Sequence, residues 1–262
     1  MEQAPIRVKS RAWWSIMKGL QRGFDLIIAI DLETTGLDVE YTEIIQVGIV
    51  KIDARKQMTT GIDRLFKPTS RIPLSAYRVH GIGEAKLEGK APSYEALDFI
   101  AQECNGNNLI VGYNIHKFDL PVIWNSHARY RERLNVKPEP FLPSHTLDLF
   151  SLLTSRHPVP GGRRDLSTCF STFTGCERLK AHNALHDCHT CINMLPMMVE
   201  HYLLPKGRAA IKRATKNAEI TGLNMKYFLN EDQLFDKLVE IVKSQKFKPI
   251  PTLIISSPSP SN

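Results

Sequence analysis

The chain has 262 residues, of which 42% are hydrophobic and 23% charged, a composition typical of a globular protein with one sizeable domain and extensions. It contains no apolar run long enough to cross a bilayer, no signal-peptide core and no disulfide framework among its five scattered cysteines, so we expect a cytoplasmic protein. The net charge of +7 lies in the two ends, because residues 25–200 carry 19 basic and 21 acidic residues.

The uneven charge divides the chain into three predicted parts. Residues 1–24 form a basic N-terminal arm, residues 25–200 a body, and residues 201–262 a basic C-terminal extension. The extension contains one amphipathic helix, NEDQLFDKLVEIVKSQ, and ends in SSPSPSN, which is typical of a disordered tail. Basic flanks of this kind either attract a polyanion or keep the protein in solution, and the sequence leaves both interpretations open.

Strand and helix signals alternate along the body. Three strands come first (DLIIAIDLE, EIIQVGIVKID and GIDRLFKP), followed by helical spacing in LSAYRVHG and SYEALDFIAQECN. A fourth strand, NLIVGYN, precedes the helix FDLPVIWNSHARYRERL, and a fifth, TLDLFSLL, precedes a helix that begins with Asp165 as its N-cap. The last helix begins in ALHDCHTCINML, and Pro196 ends or kinks it. We predict an α/β fold: a mixed five-stranded sheet, with a three-stranded antiparallel meander plus parallel strands and helices on both faces.

Four carboxylates stand at the ends of these elements. Asp31 and Glu33 lie two residues apart on the first strand, so their side chains point to the same side. Asp119 follows the fourth strand, and Asp187 lies near the start of the last helix. One interpretation is a set of solvated acids, and the other is a cluster at one rim of the sheet, where a cation would offset the repulsion. Oxygen ligands suit Mg²⁺ or Mn²⁺ rather than zinc, and two such ions can bind a phosphodiester.

Three motifs in order resemble those of the DnaQ-like (DEDDh) 3′–5′ exonucleases of the ribonuclease H-like superfamily. They are AIDLETTGLD, VGYNIHKFD and HNALHDC, in which His182 stands five residues before Asp187. LSAYRVHGI, TLDLF and DLSTCF are similar to further landmarks of the family, and the resemblance covers about residues 25–200. Tyr113 is a departure, since many relatives have histidine before the asparagine.

The resemblance implies a two-metal nuclease. Asp31, Glu33, Asp119 and Asp187 would hold two divalent ions, Mg²⁺ or Mn²⁺, and His182 would be the general base that takes a proton from the attacking water. The enzyme would release nucleoside 5′-monophosphates from nucleic acid with a free 3′ end.

The resemblance also implies a substrate cradle. The turn after the first motif would cradle the 3′-terminal nucleotide, and Leu37 would pack on its base; the turn comprises Thr34, Thr35, Gly36 and Leu37. Asn114 would contact the substrate, and His80 in VHGI either shapes the same pocket or is a packed, hydrogen-bonded histidine. Asp148 in TLDLF is expected to be structural.

Basic and aromatic clusters have two interpretations each. Arg163 and Arg164 precede a helix N-terminus, where cations are disfavoured, so they form either a phosphate-contacting loop or an ordinary flexible one. Trp13 and Trp14 either stack on a base or pack on the body. A solvated helix face is the preferred interpretation of the remaining cluster, Arg129, Arg131 and Arg133.

The segment HNALHDCHTC also has the composition of a zinc site. On a helix, however, Cys188 and Cys191 share one stripe with Ala184 and Leu195, so we expect them in the core, with His186 and His189 on the solvent side. His182 is expected in the loop before the helix. A zinc module therefore remains an alternative, but not the favoured one.

The favoured function is an exonuclease that acts on DNA, with single strands or 3′ overhangs preferred over RNA. Its context would be proofreading, repair or 3′-end trimming, including DNA of CRISPR systems or mobile elements. The alternatives are an RNA-trimming exoribonuclease and a catalytically silent nucleic-acid-binding scaffold. A protein partner, such as a polymerase, would bind through the C-terminal extension, and no membrane association is expected.

Overall fold

Five strands form one mixed sheet in the computed structural model, which describes residues 11–135, 137–143, 145–151, 164–174 and 182–203. The strands are β1 (Ile27–Thr34), β2 (Ile44–Asp53), β3 (Met58–Leu65), β4 (Leu109–Gly112) and β5 (His145–Asp148). Their spatial order is β3-β2-β1-β4-β5. β1 pairs with β2 and β2 with β3 in antiparallel fashion, whereas β4 is parallel to both β1 and β5. The predicted meander with added parallel strands is confirmed.

Helices cover both faces of the sheet, as predicted. They are α1 (Arg11–Gln21), α2 (Leu74–His80), α3 (Glu84–Leu87), α4 (Glu95–Cys104), α5 (Asp119–Leu134), α6 (Leu166–Thr174) and α7 (Ala184–Leu203). Alternate residues of β1 belong to two different core clusters, Ile27 and Ala29 to one and Ile28 and Ile30 to the other. The period of two along a strand therefore builds one core under α1, α6 and α7 and a second under α4 and α5.

The N-terminal helix α1 packs into the first of these cores. Trp13, Ile16, Met17 and Leu20 are buried there together with residues of β1 and β2. This packing favours the second interpretation of Trp13, since its ring lies edge-to-face against Trp14 rather than open to a base. Residues of the predicted N-terminal arm therefore form a helix that shares a hydrophobic core with the body.

Helix α7 lies directly on β2 at Gly48. A Cβ atom at Gly48 would lie 2.2 Å from the carbonyl carbon of Ala184 and 2.3 Å from the nitrogen of Leu185. The Cys188 thiol donates a hydrogen bond to the Gly48 carbonyl, at 3.1 Å. The missing side chain at residue 48 thus fixes where α7 begins and how closely it approaches the sheet.

Three sequence predictions about α7 have different outcomes. The stripe of Ala184, Cys188, Cys191 and Leu195 is buried, as predicted. The helix does not end at Pro196 but continues to Leu203, because a proline removes one backbone hydrogen bond and the apolar face around it stays packed.

The placement of His186 and His189 on the solvent side is wrong, because both are half-buried. The reason is that α7 also reaches β3: a Cβ atom at Gly61 would lie 3.3 Å from the His189 Nε2.

Arg129 does not belong to a solvated helix face. Its guanidinium donates to the carbonyls of Glu40 and Thr42 and to the Ser126 hydroxyl, and it lies 5.3 Å from the centre of the Tyr130 ring. The carbonyls after β1 provide acceptors that the sequence pattern alone does not show. Arg131 is exposed, and the side chain of Arg133 lies outside the described set.

Several predictions fall outside the described residues. These are Arg163, the amphipathic helix of the C-terminal extension and the SSPSPSN tail. Within the part of the chain that the structure describes, no helix is both long and apolar enough to span a membrane.

We expect Gly48→Ala to destabilise the protein by about 1–3 kcal/mol or more, because its methyl group would meet the backbone of α7. Gly61→Ala is the matched control on the next strand, where the new methyl group meets only the flexible ends of His189 and Leu185. Its effect should stay below about 1 kcal/mol. Urea unfolding measures both, and equal stability of the two variants would contradict the close packing of α7 on β2.

Candidate active site

Three carboxylates meet at the end of β1. Asp31, Glu33 and Asp187 each contribute one oxygen to a group whose ligand atoms all lie within 4.8 Å of one another. The strand period places Asp31 and Glu33 on the same side, and the contact of α7 with Gly48 brings Asp187 to them. Asp187 is only 8% exposed. A donor set made of carboxylate oxygens fits a hard divalent cation such as Mg²⁺ or Mn²⁺.

Asp119 is anchored to the same strand from the first residue of α5. It is 3% exposed, and its Oδ1 accepts the backbone N–H of Leu32, the residue between Asp31 and Glu33, at 3.0 Å. Burial raises the pKa of Asp119 to about 7, the negative charges of Asp148 and Glu33 add to the rise, and backbone hydrogen bonds oppose it. With no cation bound, Asp119 therefore has a pKa near neutral pH.

His182 comes from the loop before α7, as predicted, since the helix begins at Ala184. It is exposed and has a left-handed backbone with φ of 58°. Burial lowers the pKa of His80, and the charges of His182 and Lys86 lower this pKa further. A hydrogen bond with the Thr34 backbone acts in the opposite direction. His80 and His182 are thus close enough to interact, and His80 stands beside the turn that follows β1.

The turn after β1 holds its two threonines inward. The Thr34 hydroxyl donates to the Gly36 carbonyl at 2.6 Å, and the Thr35 hydroxyl pairs with that of Thr42 and accepts the Glu43 N–H. Both threonines are buried, whereas Leu37 is 89% exposed. Contacts of Thr34 and Thr35 with a nucleotide would therefore use backbone groups, while Leu37 presents its whole side chain.

The loop between β4 and α5 is held by neighbours on β5 and at α6. Asn114 has a left-handed backbone with φ of 63° and donates its N–H to Asp148 at 2.8 Å. The Tyr113 hydroxyl donates to the Arg164 carbonyl at 2.6 Å and lies 3.0 Å from the Cys169 sulfur. The tyrosine at this position therefore links the loop to the segment before α6. Asp165 caps that helix, as predicted, by accepting the Thr168 N–H at 2.9 Å.

The cysteines of HNALHDCHTC are core residues. Cys188 is fully buried, and burial raises the pKa of its thiol well above the ordinary value, with the negative charge of Asp31 adding to the effect. A zinc ligand needs the thiolate form, so this environment disfavours a zinc site centred on Cys188. Cys191 is buried beside it.

Asp148, which the sequence predicts to be structural, is buried at the site, and His116 beside it is a supporting residue that the motifs do not mark. Asp148 is completely buried at the end of β5, and the His116 Nε2 lies 2.8 Å from the Thr146 hydroxyl on the same strand. An acid at the carboxyl end of a parallel strand is the sequence signal that points to Asp148. No comparable signal marks His116, because its partner depends on the register of β4 against β5.

Comparison with known proteins finds relatives for most of the body. A model of the RNase_T exonuclease family matches residues 28–195, from within β1 to within α7. The DNA polymerase III subunit epsilon of Rickettsia conorii is 26% identical over 199 residues, which are 75% of this chain and 81% of that protein. The same subunit of Aquifex aeolicus is 29% identical over 161 residues, which are 61% of this chain and 73% of that protein.

Solved structures of Escherichia coli exonuclease I share the fold. The complex with a dT13 oligonucleotide matches with a TM-score of 0.53 and 18% identity, over 66% of this chain and 40% of that chain. The complex with a dA16 oligonucleotide matches with a TM-score of 0.54 and 18% identity, over 68% and 42%. This chain thus spans about two fifths of the exonuclease I chains that it matches. The predicted ribonuclease H-like α/β fold is confirmed.

We expect the stability of the metal-free protein to depend on Asp119 in a defined direction. Its folded pKa of about 7 lies above the ordinary value of 3.8, so its contribution to stability is fully present below 3.8 and is lost as the pH rises through 7. Above pH 7, Mg²⁺ should offset the loss by binding the carboxylate, so its stabilising effect should be larger above pH 7 than below it.

Thermal unfolding with EDTA or with Mg²⁺, on both sides of pH 7, measures this effect. Asp119→Asn should flatten the pH dependence and reduce the response to Mg²⁺, whereas the exposed Asp25→Asn should leave both as in the wild type. An unchanged Mg²⁺ response in Asp119→Asn would contradict the role of this carboxylate.

Proposed function

The chain belongs to the RNase_T family of exonucleases, and from this membership we propose that it removes nucleoside 5′-monophosphates from the 3′ end of DNA. The observation that carries the proposal is the meeting of Asp31, Glu33 and Asp187 within 4.8 Å at the end of β1, inside the region that matches the family. A 3′–5′ exonuclease needs a concentration of negative ligands of this kind beside an open cradle for the terminal nucleotide.

The chain's own residues divide the work at this site. Asp31, Glu33 and Asp187 would hold divalent cations, with Asp119 as the fourth carboxylate. When bound, such cations activate water and stabilise the charge of the leaving oxygen, and we propose two Mg²⁺ ions. His182, exposed on the loop before α7, would take the proton from the attacking water, because an imidazole titrates near neutral pH.

The surface beside the site supports a single-stranded substrate. Leu37 is 89% exposed, and on α2 Tyr77 and Val79 are 46% and 52% exposed, close in sequence to His80 and so to the β1 turn. Exposed apolar and aromatic side chains can stack on unpaired bases, whose faces are hidden in a duplex. Asn114 and Arg164, on the two linked loops, would contact the sugar-phosphate backbone.

The relatives support DNA rather than RNA as the substrate. The epsilon subunits belong by name to DNA polymerase III, and the exonuclease I structures hold DNA oligonucleotides. We propose a role in processing 3′ ends of DNA, as in proofreading or repair. A protein partner such as a polymerase would bind through the basic extension 201–262, whose ten basic and five acidic residues also suit contact with nucleic acid.

We expect the purified protein to shorten a 5′-labelled DNA oligonucleotide from its 3′ end when Mg²⁺ or Mn²⁺ is present. Asp31→Asn should lower the rate by more than about 100-fold because it removes a charged ligand, and His182→Ala should lower it by about 10²–10⁴-fold because it removes the base. The matched control Asp25→Asn should retain activity. Mass spectrometry should identify nucleoside 5′-monophosphates as products. Substrate that stays at full length with folded wild-type protein and either metal would contradict the proposal.

A substrate panel tests the preference for unpaired DNA ends. We expect single strands and 3′ overhangs to be degraded faster than blunt duplexes and RNA. Combined Leu37→Ala and Tyr77→Ala substitutions should raise KM for single strands about tenfold through lost base contacts. Met58→Ala is the control, since Met58 is 57% exposed but lies at the opposite end of the sheet, paired with Asp53. Faster degradation of RNA or blunt duplex would overturn the substrate assignment.

A further inference from the structure

Asp148 is a buried acid for which the proposed reaction has no direct use. It is the last residue of β5, aligned with Gly112 of β4, and its side chain is 0% exposed. A carboxylate in such a place is unfavourable unless its oxygens receive hydrogen bonds. The identity of its donors therefore indicates what the residue is there to hold.

The Asp148 carboxylate joins two segments of the chain. Its Oδ1 accepts the N–H of Phe150 at 3.0 Å and the N–H of Asn114 at 2.8 Å, and its Oδ2 accepts the Ser151 hydroxyl at 3.1 Å. Phe150 and Ser151 follow Asp148 directly, so those two bonds shape its own turn. The bond to Asn114 is different, because it reaches across to the loop between β4 and α5.

This loop leads from Asn114 to Asp119 in one tight turn. The Asn114 carbonyl accepts the N–H groups of Lys117 and Phe118, both at 3.1 Å, and Asn114 itself has the left-handed φ of 63°. Asparagine adopts this conformation more readily than most other non-glycine residues, and hydrogen bonds of both its N–H and its carbonyl hold the Asn114 backbone there. A fixed Asn114 amide therefore sets the start of the turn, and the turn ends at Asp119, which bonds to Leu32 on β1.

A second contact ties the same loop to β5. The His116 Nε2 lies 2.8 Å from the Thr146 hydroxyl, and its Nδ1 lies 3.9 Å from the Asp148 Oδ2. Thr146 and Asp148 are two residues apart on the strand, so their side chains point to the same side. β5 thus holds the loop at Asn114 and at His116.

We propose that Asp148 is a positioning residue, which through the Asn114 amide sets the loop that places Asn114 and Asp119 against Asp31 and Glu33. It touches neither substrate nor metal. The proposal rests on the proposed function for its kinetic consequence only. Its geometric consequence, a weaker cation site when the loop is released, holds for any function of the carboxylates.

Two substitutions separate this role from others. Asp148→Asn keeps all three contacts, since the amide oxygen can accept both N–H groups and the amide nitrogen can donate to Ser151. It should bind Mn²⁺ and degrade DNA within about threefold of the wild type. Asp148→Ala removes the acceptors, and we expect a 10–100-fold weaker Mn²⁺ affinity and a 10–100-fold lower kcat per folded molecule.

A variant destabilised elsewhere shows whether the loss of Mn²⁺ affinity in Asp148→Ala is only a consequence of lower stability. Gln21 is also a buried polar residue with a backbone partner, the Ala54 N–H, but it lies at the far end of the sheet from the carboxylates. Gln21→Ala should lower the midpoint temperature of unfolding and leave Mn²⁺ affinity unchanged. Calorimetric Mn²⁺ titration and thermal unfolding compare it with Asp148→Ala.

Three results would overturn the proposal. One is an Asp148→Ala protein that binds Mn²⁺ and turns over like the wild type. Another is an Asp148→Asn protein as impaired as Asp148→Ala, since charge rather than hydrogen bonding would then matter. The third is hydrogen exchange: the Asn114 amide should exchange its hydrogen far more slowly in the wild type than in Asp148→Ala, and equal exchange would show that Asp148 does not hold it.

The failure of the proposed function would look different. A wild type that leaves all nucleic acids intact, but whose Mn²⁺ affinity falls in Asp148→Ala and is kept in Asp148→Asn, removes the exonuclease assignment and retains the positioning role.

Discussion

The crowding of like charges at the end of β1 is the constraint that the rest of the structure serves. Asp31, Glu33 and Asp187 lie within 4.8 Å, and Asp119 is bonded to the Leu32 amide between the first two. Repulsion between carboxylates and their partial burial oppose this arrangement, and the raised pKa of Asp119 reflects both. We propose that a divalent cation offsets this repulsion, and the donor oxygens suit Mg²⁺ or Mn²⁺. On this proposal the same residues oppose folding in the absence of a cation and carry the function in its presence.

Contacts between regular elements bring Asp31, Glu33 and Asp187 together and place Asp119 on the same strand. The period of β1 sets the positions of Asp31 and Glu33. The close approach of α7 to Gly48 sets the position of Asp187, and the turn that β5 holds through Asp148 sets that of Asp119. Leu37 and His182 are exposed beside this cluster. In the proposed nuclease they would serve as the nucleotide cradle and the general base, held beside a fixed set of carboxylates.

The sequence predicts most of the fold because its signals are local. The apolar runs of β1, β2 and β4, the Asp165 cap and the buried stripe of α7 follow from period and capping alone. The acids of the site are recognisable because three motifs occur in order.

The predictions that fail depend on long-range contacts. Arg129 finds carbonyls some 87 residues away in sequence, and His189 lies against Gly61 of a strand that the helix pattern does not reveal. The sequence predicts that Pro196 either ends or kinks the last helix, and the structure excludes only the first outcome, because tertiary packing overrides local propensity. The structural role expected of Asp148 agrees with its burial, but its partner Asn114 could not be predicted, because that contact follows from the register of two parallel strands.

The most direct test of the central claim is an anomalous difference map from crystals of the protein soaked in Mn²⁺. We predict strong peaks among Asp31, Glu33 and Asp187, with Asp119 beside them. Two results would contradict this prediction. One is Mn²⁺ bound at full occupancy at other sites but absent from these carboxylates, and the other is a peak at the cysteines of α7.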